Sequence, residues 1–216
     1  MIVRKNEITL GEFEDRYALT IDGNKDLYKK AIFFDLEHYV YKKPICIGVF
    51  GCCYYDVNKN NIKVTQYMIE NKKDVKSILL LAKKYFKNIH REKNKKYIIT
   101  FSGNNDFTVI NYLFDRYNIN FDINEYFLKV DLQREYEKEK KTSIGLKNLE
   151  KCFNIIRDEK EIISGQNLAK TFAKIVKDED YIKRMPQEKK EKILLYNEQD
   201  VVSLFHIYVN WNEKLN

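Results

Sequence analysis

Acidic side chains stand at three places along this chain where an element of apolar character could hold them in one site. Asp35 and Glu37 follow the apolar run 31–34, Asp106 follows the strand-like run 97–101, and Asp200 lies in a helix-like segment near the carboxyl end. Carboxylate and water oxygens are the ligands that Mg²⁺ and Mn²⁺ prefer. The chemistry that these residues could perform together is the binding of divalent cations.

Asp35 and Glu37 are two residues apart at the end of a predicted buried strand. Side chains at this spacing point to the same face of a strand, so both carboxylates face one point in space. The spacing alone carries little information, because about five such pairs are expected by chance in a chain this acidic. The apolar context favours a cation site, since unpaired buried carboxylates are costly. The alternative is a strand end that emerges into solvent.

Two further positions are compatible with such a site and also have ordinary explanations. Asp106 follows a turn at 103–105 and precedes an apolar-striped helix, where aspartate is also favoured by capping and by the helix dipole. Tyr196 and Asp200 are four residues apart, which places phenol and carboxylate on one helix face. That spacing is common in helices that have no active site.

The periodicity of the chain predicts the scaffold. Strands at 31–34, 45–51 and 62–68 are predicted to be antiparallel, and later strands at 97–101 and 126–130 alternate with helices. Helical spacing covers 75–86, 107–114, 146–150, 168–176 and a closing helix at about 187–208 that begins after Pro186. We therefore expect an α/β fold with a mixed β-sheet, three antiparallel strands plus parallel strands, flanked by α-helices.

Length and composition limit the other possibilities. The 216 residues predict a single domain over 1–216, in which residues 1–30 form an N-terminal extension packed on a core at 31–210. We see no apolar run that would cross a membrane and no secretory signal, so we expect a cytoplasmic protein. The formal charge of +7 favours a polyanionic partner. Lys170, Lys174 and Lys177 fit either a groove that follows such a backbone or a solvated helix face.

The order of these motifs resembles the DEDD superfamily of 3′-to-5′ exonucleases, in its tyrosine-bearing branch (DEDDy). The resemblance rests on three motifs in order. The first is an apolar strand that ends in Asp-x-Glu, and the second is an aspartate in the loop between a strand and a helix. The third is Tyr-x-x-x-Asp in a helix near the carboxyl end. The segments 131–132, 145–150, 163–165 and 196–204 are similar to YprB-type ribonuclease H-like domains. The resemblance spans roughly residues 31 to 210 and implies a ribonuclease H-like fold.

This resemblance implies a metal-dependent exonuclease that hydrolyses phosphodiester bonds at the 3′ end of single-stranded DNA or RNA. Asp35, Glu37, Asp106 and Asp200 would be ligands of two Mg²⁺ or Mn²⁺ ions about 3.5 to 4 Å apart. Asp35 would bridge the ions, with Glu37 and Asp200 on the nucleophile side and Asp106 on the other ion. Tyr196 would hold the attacking water. A nucleic-acid-binding or partner-binding module on the same fold, without effective catalysis, is the alternative.

The chain also departs from the family pattern near the first two motifs. His38-Tyr39-Val40 replaces the frequent Thr-Thr-Gly, and Asn105 rather than an aromatic residue precedes Asp106. We expect His38, Ser102 and Asn105 to contact substrate. Asp131 is predicted to have a supporting or structural role. The alternatives Asp115 and Asp122 do not lie at the turn between strand and helix.

Overall fold

One mixed sheet contains all six strands of the part of the chain that the structure describes. The computed structural model describes residues 1–157 and 163–215. The strand order is β1-β4-β3-β2-β5-β6. The strands are β1 (Ile2–Thr9), β2 (Ala31–Tyr41), β3 (Lys43–Asp56), β4 (Asn61–Met68), β5 (Tyr97–Thr100) and β6 (Leu128–Asp131).

Antiparallel and parallel pairing meet at β2. This strand pairs antiparallel with β3 and parallel with β5, while β6 extends the parallel part of the sheet. Strands β4 and β1 extend the antiparallel part, with Ile2 opposite Met68 and Thr9 opposite Asn61. The expected mixed sheet of three antiparallel strands plus parallel strands is confirmed. The N-terminal segment contributes an edge strand to it.

Helices flank this sheet on both faces. Helix α1 follows the loop 69–73 after β4, and α2 follows β5 through the turn at 101–103. The helices of the described residues are α1 (Asp74–Lys93), α2 (Asn104–Arg116), α3 (Leu132–Lys140), α4 (Leu146–Cys152), α5 (Gly165–Lys177), α6 (Tyr181–Arg184), α7 (Gln187–Val209) and α8 (Trp211–Leu215). We find none among them with the length and apolar character that a bilayer crossing requires.

The boundaries differ from the predicted ones mainly at the ends of elements. Strand β2 continues to Tyr41 rather than ending at Asp35, and the last strand begins at Leu128 rather than at 126. The apolar segment 17–21, whose sequence is compatible with a strand or a capping hairpin, lies outside the sheet. Its start belongs to a short 3₁₀ helix (Asp15–Tyr17), and Ile21 makes an isolated bridge to Asn24.

The side chains of β2 point alternately to the two faces of the sheet, and each face packs against its own apolar cluster. Ile32, Phe34 and Leu36 pack into one cluster with buried residues of α1, α2 and α5. Phe33 packs into the other, where its ring lies 5.5 Å from that of Phe205 in α7. Because side chains alternate along a strand, Asp35 and Glu37 share the face of Phe33. The second half of α7 covers this face.

Helix α5 approaches β3 so closely that one position of the strand has no room for a side chain. A Cβ atom on Gly48 would lie 2.3 Å from the buried ring of Phe172. The gap between strand and helix therefore depends on the absence of a side chain at residue 48.

We predict that Gly48→Ala lowers the free energy of unfolding by about 1 to 3 kcal/mol, because Phe172 must move to admit the methyl group. Urea unfolding followed by circular dichroism measures the loss. Gly11→Ala is the control, since nothing lies within 4 Å of a Cβ placed there. Equal stability of Gly48→Ala and the parent would contradict the close packing of α5 on β3.

Candidate metal centre

Three of the predicted acidic residues lie together at the interface of β2 and α7. One carboxylate oxygen from each of Asp35, Glu37 and Asp200 lies within 4.8 Å of the other two. Strand β2 supplies the first two side chains from one face, and α7 lays Asp200 across them. We call these three residues the acidic triad.

Asp106 lies close to the acidic triad without belonging to it. It occupies the first turn of α2, which starts at the carboxyl end of β5 beside β2. Its carboxylate is 3.8 Å from His38 Nε2, and its side chain is almost fully buried. Burial raises the pKa of Asp106 well above its ordinary value, and the charges of Asp35, Asp131 and Asp200 raise it further.

Burial also raises the pKa values of all three triad residues. Burial raises the pKa of Asp35 to about 6 and that of Asp200 to about 8. The pKa of Glu37 is raised well above its usual range by burial and by the charges of Asp35, Asp200 and Asp106. Buried charges of one sign need compensation. A set of close carboxylate oxygens therefore fits a divalent cation that takes oxygen ligands.

Asn197 positions Asp35 through a hydrogen-bonded row. Its Nδ2 donates to Asp35 Oδ2 over 3.0 Å, and its Oδ1 accepts from Gln66 Nε2 over 2.9 Å. Asp35, Gly51 and Gln66 are neighbours across β2, β3 and β4. A Cβ on Gly51 would lie 2.0 Å from Asn197 Oδ1, so the glycine lets α7 reach the sheet here. The row fixes which oxygen of Asp35 remains available for a cation.

Arg157 places a positive charge at the triad that sequence reasoning missed. Its Nη2 donates to Asp200 Oδ1 over 2.6 Å and also to Glu150 of α4. The side chains of Arg157 and Glu150 are 4% and 2% exposed. Arg157 therefore compensates one charge of the triad and links α4 to α7 through two buried ion pairs. It lies outside any regular element, and no spacing in the sequence signals it.

Tyr196 lies beside the triad, as the spacing to Asp200 predicts. Burial and the charges of Asp200, Glu37 and Asp35 raise its pKa, so its phenol stays protonated and can donate a hydrogen bond. Two cations flank the ring, with Lys147 Nζ at 5.0 Å and Arg157 Cζ at 5.5 Å from its centroid. Lys147 and Asn197 fall within the motif segments 145–150 and 196–204, although the sequence assigned them no role.

His38, Ser102 and Asn105, which were expected to contact substrate, lie on the side of the site where α2 begins. Asn105 Nδ2 is 3.0 Å from His38 Nε2, and burial lowers the pKa of His38. The backbone N–H of Ser102 donates to Asp131 Oδ1 over 2.9 Å, while the residue itself is exposed. Asp131 also accepts from the N–H groups of Gly103 and Gln133. Asp131 therefore orders the turn before α2 and caps α3.

Comparison with known families agrees with this arrangement. The model of the family RNase_H_2, described as part of the RNase H superfamily, matches residues 32–212. The chain belongs to this family. Members of the superfamily are usually nucleases that use divalent metals and bind nucleic acid, and the acidic triad is compatible with such a site. Among curated proteins, no significant match is found. The RNase H-like α/β fold expected from the sequence is thus confirmed.

We predict that Glu37→Gln stabilises the metal-free protein at pH 8 by about 1 kcal/mol, because it removes a carboxyl group whose ionised form is opposed by burial and by the neighbouring acidic residues. In wild type, the folded state keeps carboxyl protons that the unfolded chain loses above about pH 4. Stability in EDTA should therefore fall as pH rises, up to about pH 8, where Asp200 titrates. The fall should be smaller in Glu37→Gln.

Thermal melts in EDTA from pH 5 to 9 measure this difference, with the exposed Glu12→Gln as the control. Added Mn²⁺ should raise the melting temperature of wild type at pH 8 and have little effect on Glu37→Gln. A stability that rises with pH in EDTA would contradict the buried repulsion.

We predict that Arg157→Gln lowers the free energy of unfolding in EDTA by about 3 kcal/mol, because Asp200 and Glu150 lose their buried positive partner. The double variant Glu150→Gln/Arg157→Gln should lose less stability in EDTA than Arg157→Gln, because only Asp200 is left without its partner. Adding Mn²⁺, which would neutralise Asp200, should reduce the loss of the double variant further. Urea unfolding measures each value. Arg184→Gln is the control, since its ion pair with Asp178 is exposed and should contribute about 1 kcal/mol or less. Equal losses of stability in Arg157→Gln and Arg184→Gln would contradict the role of Arg157 as a buried ion-pair partner.

Proposed function

We propose that this protein is a metal-dependent exonuclease that removes nucleotides from the 3′ end of single-stranded DNA or RNA. The observation that carries the proposal is the meeting of Asp35, Glu37 and Asp200 within 4.8 Å in a buried site. The superfamily supports nuclease chemistry. The 3′-to-5′ polarity rests on the resemblance of the ordered motifs to tyrosine-bearing DEDD exonucleases.

The residues of the site divide into metal ligands and groups that act on substrate. Asp35, Glu37 and Asp200 would hold divalent cations, with Asp106 as a further ligand from the amino end of α2. When bound, two Mg²⁺ or Mn²⁺ ions would supply an activated water and would stabilise the charge of the leaving oxygen. Asn197 keeps one oxygen of Asp35 engaged, so the carboxylate enters the site in a fixed orientation.

Tyr196 is assigned to the attacking water. Because its raised pKa keeps the phenol protonated, it donates to the water oxygen and holds it for attack on phosphorus. Lys147 lies over the Tyr196 ring and is placed to attract the scissile phosphate. His38, Ser102 and Asn105 at the rim are assigned to the terminal nucleotide. We treat residues 1–216 as one domain in this proposal.

One observation favours the alternative of a binding module without effective catalysis. Arg157 already engages Asp200, so part of the charge that a metal would neutralise is compensated within the protein. Such a module would bind single-stranded nucleic acid and leave it intact.

We predict that the wild-type protein shortens a 5′-labelled oligonucleotide from its 3′ end in Mn²⁺ or Mg²⁺ and releases nucleoside 5′-monophosphates. Asp35→Asn should abolish the reaction, because the site loses the ligand that its hydrogen-bonded row positions. Tyr196→Phe should lower kcat by about 100-fold with little change in KM, because the phenol acts on the water rather than on substrate binding. Gel analysis and chromatography of the products measure both effects.

Asp115→Asn and Tyr41→Phe are the matched controls, since both residues are exposed. Absence of metal-dependent cleavage in wild type, together with equal binding of the oligonucleotide by wild type and Asp35→Asn, would favour the binding module. Shortening from the 5′ end would overturn the assigned polarity.

A further inference from the structure

A cleft lined by lysines lies between α5 and α7. Its volume is about 460 Å³, and its wall includes the ring of Tyr181 from α6. The basic lining residues are Lys170 and Lys174 from α5 and Lys189 and Lys192 from α7. We call this feature the lysine cleft. The sequence grouped Lys177 with Lys170 and Lys174 on one helix face. In the structure, Lys177 instead lines another depression, beside Tyr39 and Tyr41.

Four of the described residues that line the lysine cleft carry a positive charge. Among its described lining residues none is acidic. Like charges brought together on a surface repel one another unless an anion lies between them. The cleft is therefore suited to an anionic ligand.

Another groove of the protein has a different charge pattern among its described residues. The groove between α1 and the strands β1 and β4 is larger and also contains lysines. Its lining includes Glu7 and Glu92, and Glu7 is already paired with Lys63. Its charges are mixed, so it attracts a polyanion less than a lining whose described charged residues are all lysines.

The lysine cleft and the acidic triad lie along one face of α7. Residues 189, 192, 193, 196 and 200 follow one another at intervals of one, three or four residues, which keeps them on a common side of a helix. At 1.5 Å per residue, Lys192 and Lys189 lie about 12 and about 16 Å along the helix from Asp200. A chain that ends at the triad can therefore reach the cleft within a few nucleotides.

Tyr181 adds an aromatic surface to this path. Its ring is half-buried, with Lys174 Nζ at 5.7 Å from the ring centroid and Lys189 Nζ at 3.5 Å from the hydroxyl. Lysines that follow a backbone, combined with an aromatic ring on which a base stacks, are the usual elements of single-strand binding.

We propose that the lysine cleft binds the phosphodiester backbone of a single-stranded nucleic acid whose 3′ end occupies the acidic triad. The inference rests on the proposed nuclease function and adds the path of the substrate strand to it. Lys170, Lys174 and Lys189 contact successive phosphates, and Tyr181 stacks on a base. The cleft makes the protein prefer strands long enough to extend from the triad to α5.

Binding of 5′-fluorescein-labelled dT12 and dT3 tests this inference by fluorescence anisotropy. All proteins carry Asp35→Asn so that no strand is cut during the measurement. In this background, Lys170→Gln/Lys174→Gln/Lys189→Gln should raise the Kd for dT12 at least about tenfold and remove the gain in affinity from dT3 to dT12. The plot of log binding constant against log salt concentration should become less steep by about 2, as expected for three lost phosphate contacts on a single strand.

Lys76→Gln/Lys84→Gln/Lys93→Gln is the matched control, because it removes the same charge from exposed positions of α1. It should change the Kd for dT12 by about twofold or less. Lys189→Glu alone provides a second test with a single exposed substitution and should weaken dT12 binding more than dT3 binding. Circular dichroism and melting curves check that each variant is folded.

The inference is overturned if the cleft variant binds dT12 as tightly as its parent, or if the α1 control loses as much affinity as the cleft variant. The nuclease proposal fails separately, if wild type with Mn²⁺ or Mg²⁺ leaves dT12 intact. Loss of length-dependent binding in the cleft variant without any cleavage by wild type would support the cleft as a binding site and reject the hydrolase.

Discussion

The repulsion among buried carboxylates is the constraint around which this structure is organised. Asp35 and Glu37 on β2, Asp200 on α7 and the nearby Asp106 on α2 are all shielded from water. Their pKa values are raised, which means that burial opposes their charged forms. A protein that keeps such a set accepts a loss of stability for a site that a cation can occupy.

The surroundings of the triad reduce this cost without removing it. Asn197 hydrogen-bonds Asp35 and is itself held by Gln66, and the missing side chain at Gly51 makes room for that contact. Arg157 shares its guanidinium between Asp200 and Glu150. These partners fix the orientation of individual carboxylates. In the part of the chain that the structure describes, the carboxylates of the site outnumber the positively charged side chains beside them, so the site stays suited to a metal ion.

Helix α7 connects the negatively charged triad with the lysine cleft. Helix α7 carries Asp200 and Tyr196 in its second half and Lys189 and Lys192 near its start. A phosphodiester strand needs positive charge along its backbone and divalent cations at the bond that is cut. Placing both on one face of one helix keeps the distance between them fixed.

The fold was largely predictable from the sequence, because it follows from local periodicity. Apolar runs and helical stripes predicted the strands of the central sheet and the closing helix, and two-residue spacing placed Asp35 and Glu37 on one face. The ends of β2 and β6 and the strand β1 were less predictable, since pairing partners distant in the chain decide where a strand starts and stops.

The site was only partly predictable for the same reason. The sequence by itself determined the acidic residues and the order of motifs that marks the family. Only the tertiary structure decided that Asp106 lies beside the triad rather than within it, that Arg157 reaches Asp200, and that lysines of α5 and α7 share a cleft. These contacts join residues far apart in the chain, and their geometry depends on how helices pack on the sheet, which no local pattern of residues encodes.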